Sequence, residues 1–334
     1  MRRRLRLIVR TGAALIAAGA GLAVAAWWWL GQPLPLPASP YAFDVKPGSS
    51  LRSIARDLAA AGVVAGELPL VTLARIRGVD RAIKAGNYEI AAGITLPQLL
   101  DRLTQGEATQ IALTVVEGAT FADLSRALAA EPGIVKTVLG LPEALLMERI
   151  GASGASAEGW FFPETYFFVA GSTDAALLGR AYRLMRARLD AAWSTRTADL
   201  PLKDAYEALI LASIVEKETG RPADRPLIAS VFINRLRLGM RLQTDPTVIY
   251  GLGDRFDGNL KKRDLETDTA HNTYTRDGLP PTPIALPGQA SLDAVTRPPA
   301  TPYLYFVARG DGSSVFSTNL ADHNRAVAKY QRGH

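Results

Sequence analysis

A sixteen-residue pattern that occurs three times constrains the first half of the chain more than any other feature. Residues 43 to 58 (FDVKPGSSLRSIARDL), 88 to 103 (YEIAAGITLPQLLDRL) and 113 to 128 (LTVVEGATFADLSRAL) align without gaps and place Gly48, Gly93 and Gly118 in register. Each copy reads as a strand, a tight turn and a capped helix. Ser50, Thr95 and Thr120 stand at the N-cap position, and Gln98 and Asp123 follow the last two at capping-box spacing. Leu51, Ile54 and Leu58 recur as Leu96, Leu99 and Leu103, which puts them on one face of a helix. Strands interleaved with such helices predict an α+β fold.

With a further helix near 68 to 77, residues 43 to 90 run strand, helix, helix, strand. That βααβ order and length resemble a LysM module, and the resemblance implies binding of the N-acetylglucosamine-containing chains of peptidoglycan.

The N-terminus carries a different signal. Gly12 to Leu30 contains no charged or strongly polar residue, close to the ~20 residues that cross a bilayer. Arg2, Arg3, Arg4, Arg6 and Arg10 precede it, and positive charge stays on the cytoplasmic side. Trp27, Trp28 and Trp29 close it where an aromatic belt would sit. The reading is a cytoplasmic tail and transmembrane anchor over 1–31, single-pass in the inner membrane, with the remainder in the periplasm. A signal peptide cleaved after Ala23-Val24-Ala25 is the competing reading. The five arginines supply most of the net charge of +6, so the rest of the chain gives no reason to expect a nucleic-acid partner. Cysteine is absent, which removes disulfides, thiolate metal sites and a cysteine nucleophile.

Residues 32–41 read as a proline-rich spacer that holds the later residues off the membrane, 42–148 as the LysM-like and repeat region, and 158–334 as a mixed α+β catalytic domain beyond a Gly/Ser/Ala-rich boundary. In this last part helices are expected near 174–192, 205–219 and 223–238, then a β-hairpin (YLYFVA, SVFST) and a closing helix from Asn319.

The stretch LASIVEKETG (211–220) ends an apolar helix with two acids. Leu211, Ile214, Val215 and Glu218 fall at i, i+3, i+4 and i+7, so Glu218 extends the buried stripe. Glu216 is turned away by about 200° and is expected to meet an Arg or Lys. Glu218 precedes Gly220, the expected C′ residue, where partial burial and the negative end of the helix dipole raise its pKa. A carboxyl protonated near neutral pH is a general acid.

Asn234, Gln243, Thr244, Asp245 and Tyr250 come closely after, then Asn272 and Tyr274 in HNTY. Carboxamides, hydroxyls and tyrosine faces suit a saccharide groove, with Glu216 beside the acid and Trp160 and Tyr166 of EGWFFPETY as further candidates. His271, His323 and His334 are the only histidines and lack metal-ligand spacing. Nucleophile-elbow, Walker A and dinucleotide fingerprints are absent, so no metal and no cofactor is expected.

EGWFFPETY, ASIVEKET, VFINRLRLGMRLQTDPTVIYG, NTY and TPYLYFVA resemble the MltG (YceG-like) family of endolytic murein transglycosylases from the anchor to the final helix. The resemblance implies a lyase that cuts nascent glycan strands to leave 1,6-anhydro ends. It also implies the second glutamate of EKE, here Glu218, as catalytic residue, and peptidoglycan synthases as partners. The family usually carries Gly where this chain has Thr282, and often Asn near Leu286. Two other functions remain open on the residues: a hydrolytic muramidase with Asp245 as second carboxylate, and a non-enzymatic glycan-binding scaffold.

Overall fold

The computed structural model describes residues 18–21, 24–39, 41–45, 48–105, 111–154 and 156–331. Helices and short strands are interspersed along the chain, the α+β class that the sequence predicts. The expected tail and anchor fall in part (1–17, 22 and 23) outside the described residues, and among those described no helix is long and apolar enough to cross a membrane. Residues 24–30 are helical. The chain forms two compact units, Met1–Ile111 with Phe167–Gly171, and Ala112–Tyr166 with Ser172–His334.

The first unit contains β1 (Tyr41–Val45), α1 (Leu51–Ala60), α2 (Glu67–Ile76), β2 (Gly86–Ile90) and α3 (Leu96–Gln105). Strands β1 and β2 pair antiparallel, Tyr41 opposite Ile90 and Val45 opposite Gly86. The repeat explains these elements locally. Gly48 and Gly93 take φ of 80° and 94°, left-handed turns that a side chain would disfavour. Ser50 caps α1 by accepting from the Ser53 N–H at 3.2 Å, and Gln98 reaches back to the Thr95 N–H at 2.9 Å. Leu51, Ile54, Leu58, Leu99 and Leu103 are buried with Tyr88 and Ile90, as their spacing requires. The proline-rich stretch does not stand clear of this unit. The Leu34 N–H donates to the Ile94 carbonyl at 2.8 Å, Pro33 and Thr95 form an isolated bridge, and Leu30, Leu34 and Leu36 pack on the core.

Strands β3 (Ile111–Thr114) and β5 (Thr165–Phe168) lie in sequence where the chain passes between units. The second unit continues with α4 (Phe121–Ala130), β4 (Ile134–Val135), α5 (Glu143–Arg149), β6 (Ser172–Thr173), α6 (Asp174–Ser194), α7 (Ala205–Glu218) and α8 (Arg225–Arg237). Then come α9 (Asp245–Leu252), α10 (Lys262–Glu266), α11 (Gln289–Thr296), the hairpin β7 (Tyr305–Ala308) and β8 (Ser314–Ser317), and α12 (Leu320–Tyr330). The third repeat copy belongs to this unit, with Gly118 at φ 77° and a reciprocal Thr120–Asp123 capping box. Helix α7 is buried at every residue from Ala208 to Val215 and packs against α6, α8 and α11. A helix enclosed on all sides is a fixed platform for whatever its last turn presents.

Asp174, 0% exposed at the start of α6, holds the chain after β4. It accepts from the N–H of Thr137 at 2.7 Å, of Val138 at 3.0 Å and of Leu139 at 2.8 Å, and from the Thr137 hydroxyl. Burial pushes its pKa up, but these hydrogen bonds outweigh it and hold the carboxyl below the usual range. A depressed pKa gives stability that is full above the unfolded value and is lost as pH falls through the folded one. Asp174→Ala is expected to lose on the order of 3 kcal/mol at pH 7 by urea unfolding, and the difference from wild type should shrink below about pH 4.

Candidate active site

The last three residues of α7 lock to three different parts of the second unit. The Glu216 side chain, 5% exposed, pairs with Arg225 at 3.0 Å and accepts from the Gly288 N–H at 2.9 Å and the Ser291 hydroxyl at 2.7 Å. Lys217 Nζ donates to the Gly118 carbonyl at 3.2 Å. That turn is tied in its own right, Gly118 N–H to Leu286 O at 2.9 Å and Leu286 N–H to Ala119 O at 2.7 Å. Glu218 Oε1 accepts from the Thr244 hydroxyl. The helix then stops at Thr219 in extended conformation, and Gly220 is not left-handed. The expected glycine C′ motif is therefore replaced by a local bond in which Arg221 N–H donates to Thr219 Oγ1 at 3.0 Å.

Thr244 heads α9 at the N-cap position, yet its hydroxyl makes no cap bond because it is turned to Glu218. Its backbone is set by Thr273: Thr244 N–H donates to Thr273 Oγ1 at 3.1 Å, and Gln243 N–H to Thr273 O at 3.2 Å. Gln243 has φ 51°, one of two described non-glycine residues in the left-handed region. Burial pushes the Glu218 carboxyl up to about 7, with the Thr244 bond opposing and the charge of Asp245 adding to the rise.

Glu218 opens on a groove of about 500 Å³, which Gln243, Asp245 and Tyr274 also line. Tyr274 donates its hydroxyl to Asp245 Oδ1 at 2.6 Å; burial and this bond raise its pKa. The same groove contains three residues that the sequence does not single out as sugar ligands, Arg235, Tyr305 and His323. Arg235, 8% exposed, donates to Leu304 O at 2.7 Å and Leu242 O at 2.9 Å, and its guanidinium lies 5.0 Å from the Tyr305 ring centre. His323 stacks on Tyr305 at 5.2 Å, and burial and Arg235 lower its pKa, so it is neutral at pH 7. Arg235 carries the signal that selects Glu218, for it comes after Ile228, Val231 and Phe232 at i, i+3, i+4 and i+7.

The remaining candidates are committed inside the protein, as is Glu216 through Arg225, Gly288 and Ser291. Asn234 donates to Thr301 O and Tyr303 O. Asn272, fully buried, donates to Leu265 O and Thr267 O. Trp160 stacks on Tyr206 at 5.9 Å and packs on the core. Tyr166 is 4% exposed and donates to Phe162 O at 2.6 Å. Tyr250 lies against His271 and donates to Glu158 Oε2 at 3.1 Å. Thr282, where the resembling family carries Gly, bonds His271 at 2.9 Å. Glu158 is a second buried carboxyl that burial pushes up to about 7; its signal is an acid at the head of the apolar run EGWFF. Among the described residues, which do not include His334, no three His, Asp or Glu side chains are placed to hold a metal ion.

The two acids in the last turn of α7 should respond oppositely to substitution. Glu216→Ala leaves Arg225 buried without its partner and is expected to cost about 3–5 kcal/mol in urea unfolding. For Glu218, a carboxyl whose folded pKa is raised, the stability present below the unfolded pKa is lost as pH rises towards 7. Glu218→Gln should therefore match wild type at pH 4 and be the more stable protein at pH 8.

The YceG-like family profile matches residues 43–329. An endolytic murein transglycosylase of Bacillus subtilis is 33% identical over 86% of this chain and 84% of its own length. The protein of that name from Streptococcus pneumoniae D39 is 29% identical over 85% of this chain, which spans 57% of that relative. A crystal structure of a yceG-like protein from Listeria monocytogenes covers 86% of this chain and 99% of its own at 28% identity, with a TM-score of 0.54. This chain is a member of the YceG-like family.

Proposed function

We propose that the chain is a peptidoglycan lytic transglycosylase of the endolytic type, the activity for which its curated relatives are named. The observation that carries the reading is Glu218, a carboxyl that burial pushes up to about 7 at the end of an enclosed helix and that faces a polar, aromatic groove. The bond cleaved is the β-1,4 link from N-acetylmuramic acid to N-acetylglucosamine in nascent glycan, and the cut ends elongation of the strand. Glu218 gives its proton to the departing O4 as the C1–O4 bond breaks. As carboxylate it then takes the proton of the muramoyl 6-hydroxyl, whose oxygen bonds to C1. The result is a 1,6-anhydro end, with no water consumed. Gln243, Asp245 and Tyr274 hold the sugars, and Thr244 aims the acid.

Ordinary glycosidases require two carboxyls at set separations. Asp245 lines the same groove and its charge reaches Glu218, which favours as second reading a hydrolytic muramidase with Asp245 as the other carboxylate. Against it, Asp245 accepts the Tyr274 hydroxyl and serves better as an orienting group.

The apolar Gly12–Leu30 stretch, read as a single-pass anchor in the inner membrane, would place the later residues in the periplasm beside nascent strands and the synthases that make them. The βααβ unit would act as a LysM-like glycan holder, with 42–148 and 158–334 as binding and catalytic regions.

Mass spectrometry of products from uncrosslinked glycan tests the chemistry. The expected product is lighter by one water than the hydrolytic one; a reducing end would move the protein to the muramidase reading. Glu218→Gln should lose ~10² to 10⁴ in rate or more without unfolding. Wild-type rate should fall as pH rises above about 7, where the acid ionises.

A further inference from the structure

We infer that the first unit is seated on the membrane surface through the outer face of α2, with Leu68 and Ile76 in contact with lipid. This rests on the anchor reading and goes beyond it. Trp27, Trp28 and Trp29 are 79%, 65% and 45% exposed, as expected of side chains made for a bilayer interface. The chain beyond them is not a leash. A free tether would need a run of unattached residues after Trp29, but Leu30, the next residue, already packs on the core of the unit. Pro33 bridges Thr95, and Leu34 is hydrogen-bonded to Ile94 at 2.8 Å.

The tryptophans also lie beside α2. Trp27 and Trp28 line a cleft of about 430 Å³ together with Leu73 and Arg77. Ile76 stands one turn on from Leu73 and next to Arg77, and Leu68 lies on the adjoining flank, at ~80° from Ile76 around the helix. Leu68 and Ile76 are 70% and 79% exposed, among the most exposed large apolar side chains of the described residues. A helix that buries Leu70, Val71, Leu73 and Ala74 inward has no packing reason to carry a second apolar pair outward. With tryptophans at an interface along the neighbouring flank of the helix, such an exposed apolar pair is surface that a bilayer can cover. Arg75, exposed on the same last turn, is placed for lipid phosphates.

The absence of cysteine gives a clean test. Single variants Leu68→Cys and Ile76→Cys, with Asp57→Cys and Glu89→Cys as exposed controls, would be labelled with an environment-sensitive fluorophore in the full chain. Each is reconstituted into phosphatidylethanolamine/phosphatidylglycerol vesicles containing lipids spin-labelled near the headgroup, and flotation is measured alongside. The expected result is co-flotation of all four, with quenching at positions 68 and 76 at least about twofold above the controls, as for groups ~5–10 Å into the interface. Flotation with equal quenching at all four positions would overturn the seating and leave the anchor standing. Failure to float would overturn both.

Discussion

The buried ion pair between Glu216 and Arg225 is the contact on which the geometry of the second unit depends. It joins the last turn of α7 to the first turn of α8, and through the Gly288 N–H and Ser291 hydroxyl it also fixes the start of α11. A buried pair is weak ground for net stability compared with an apolar replacement. Its use here is positional. With the carboxylate of Glu216 held by donors from two other helix starts, the helix cannot rotate, and Glu218 two residues on is aimed at Thr244.

Two glutamates on one turn thus live in different electrostatic worlds. Glu216 has a cation at 3.0 Å and two further donors. Glu218 has one neutral hydroxyl and a neighbouring aspartate, and burial dominates its ionisation. The difference follows from the ~200° between them, since the same helix face cannot offer both environments. Lys217 contributes a third direction, onto the turn at Gly118, which is how a residue of the repeat comes to brace the end of α7.

Much of this is legible in the sequence because period and capping chemistry are local. The three glycines, the Ser50 cap and the Gln98 and Asp123 reach-backs all appear as read, whereas the stripe through Glu218 does not stand apart, because α7 is buried at every residue from Ala208 to Val215 and the Glu216 side chain is buried too. The illegible part depends on partners far along the chain. Nothing local says that Asn234 spends its amide on Thr301 and Tyr303, or that Asn272 closes its own loop, so polar residues near the acid all resemble sugar ligands. Proline content suggests a stand-off spacer, but Leu30, Leu34 and Leu36 supply apolar contacts that draw the stretch down onto the unit. Arg235 escapes for a different reason: a cation in a buried stripe lacks the pairing of burial with proton transfer that makes an acid there conspicuous.

Gln243 is where local backbone strain and the aim of the acid pull in different directions. Its φ of 51° costs a residue with a side chain roughly 1–2 kcal/mol that glycine would not incur. The backbone there is held by Thr273 and sets the direction of Thr244. A glycine would ease the strain and also free the backbone that carries Thr244: the substitution that most relieves the fold is one that would unsettle the aim of the acid.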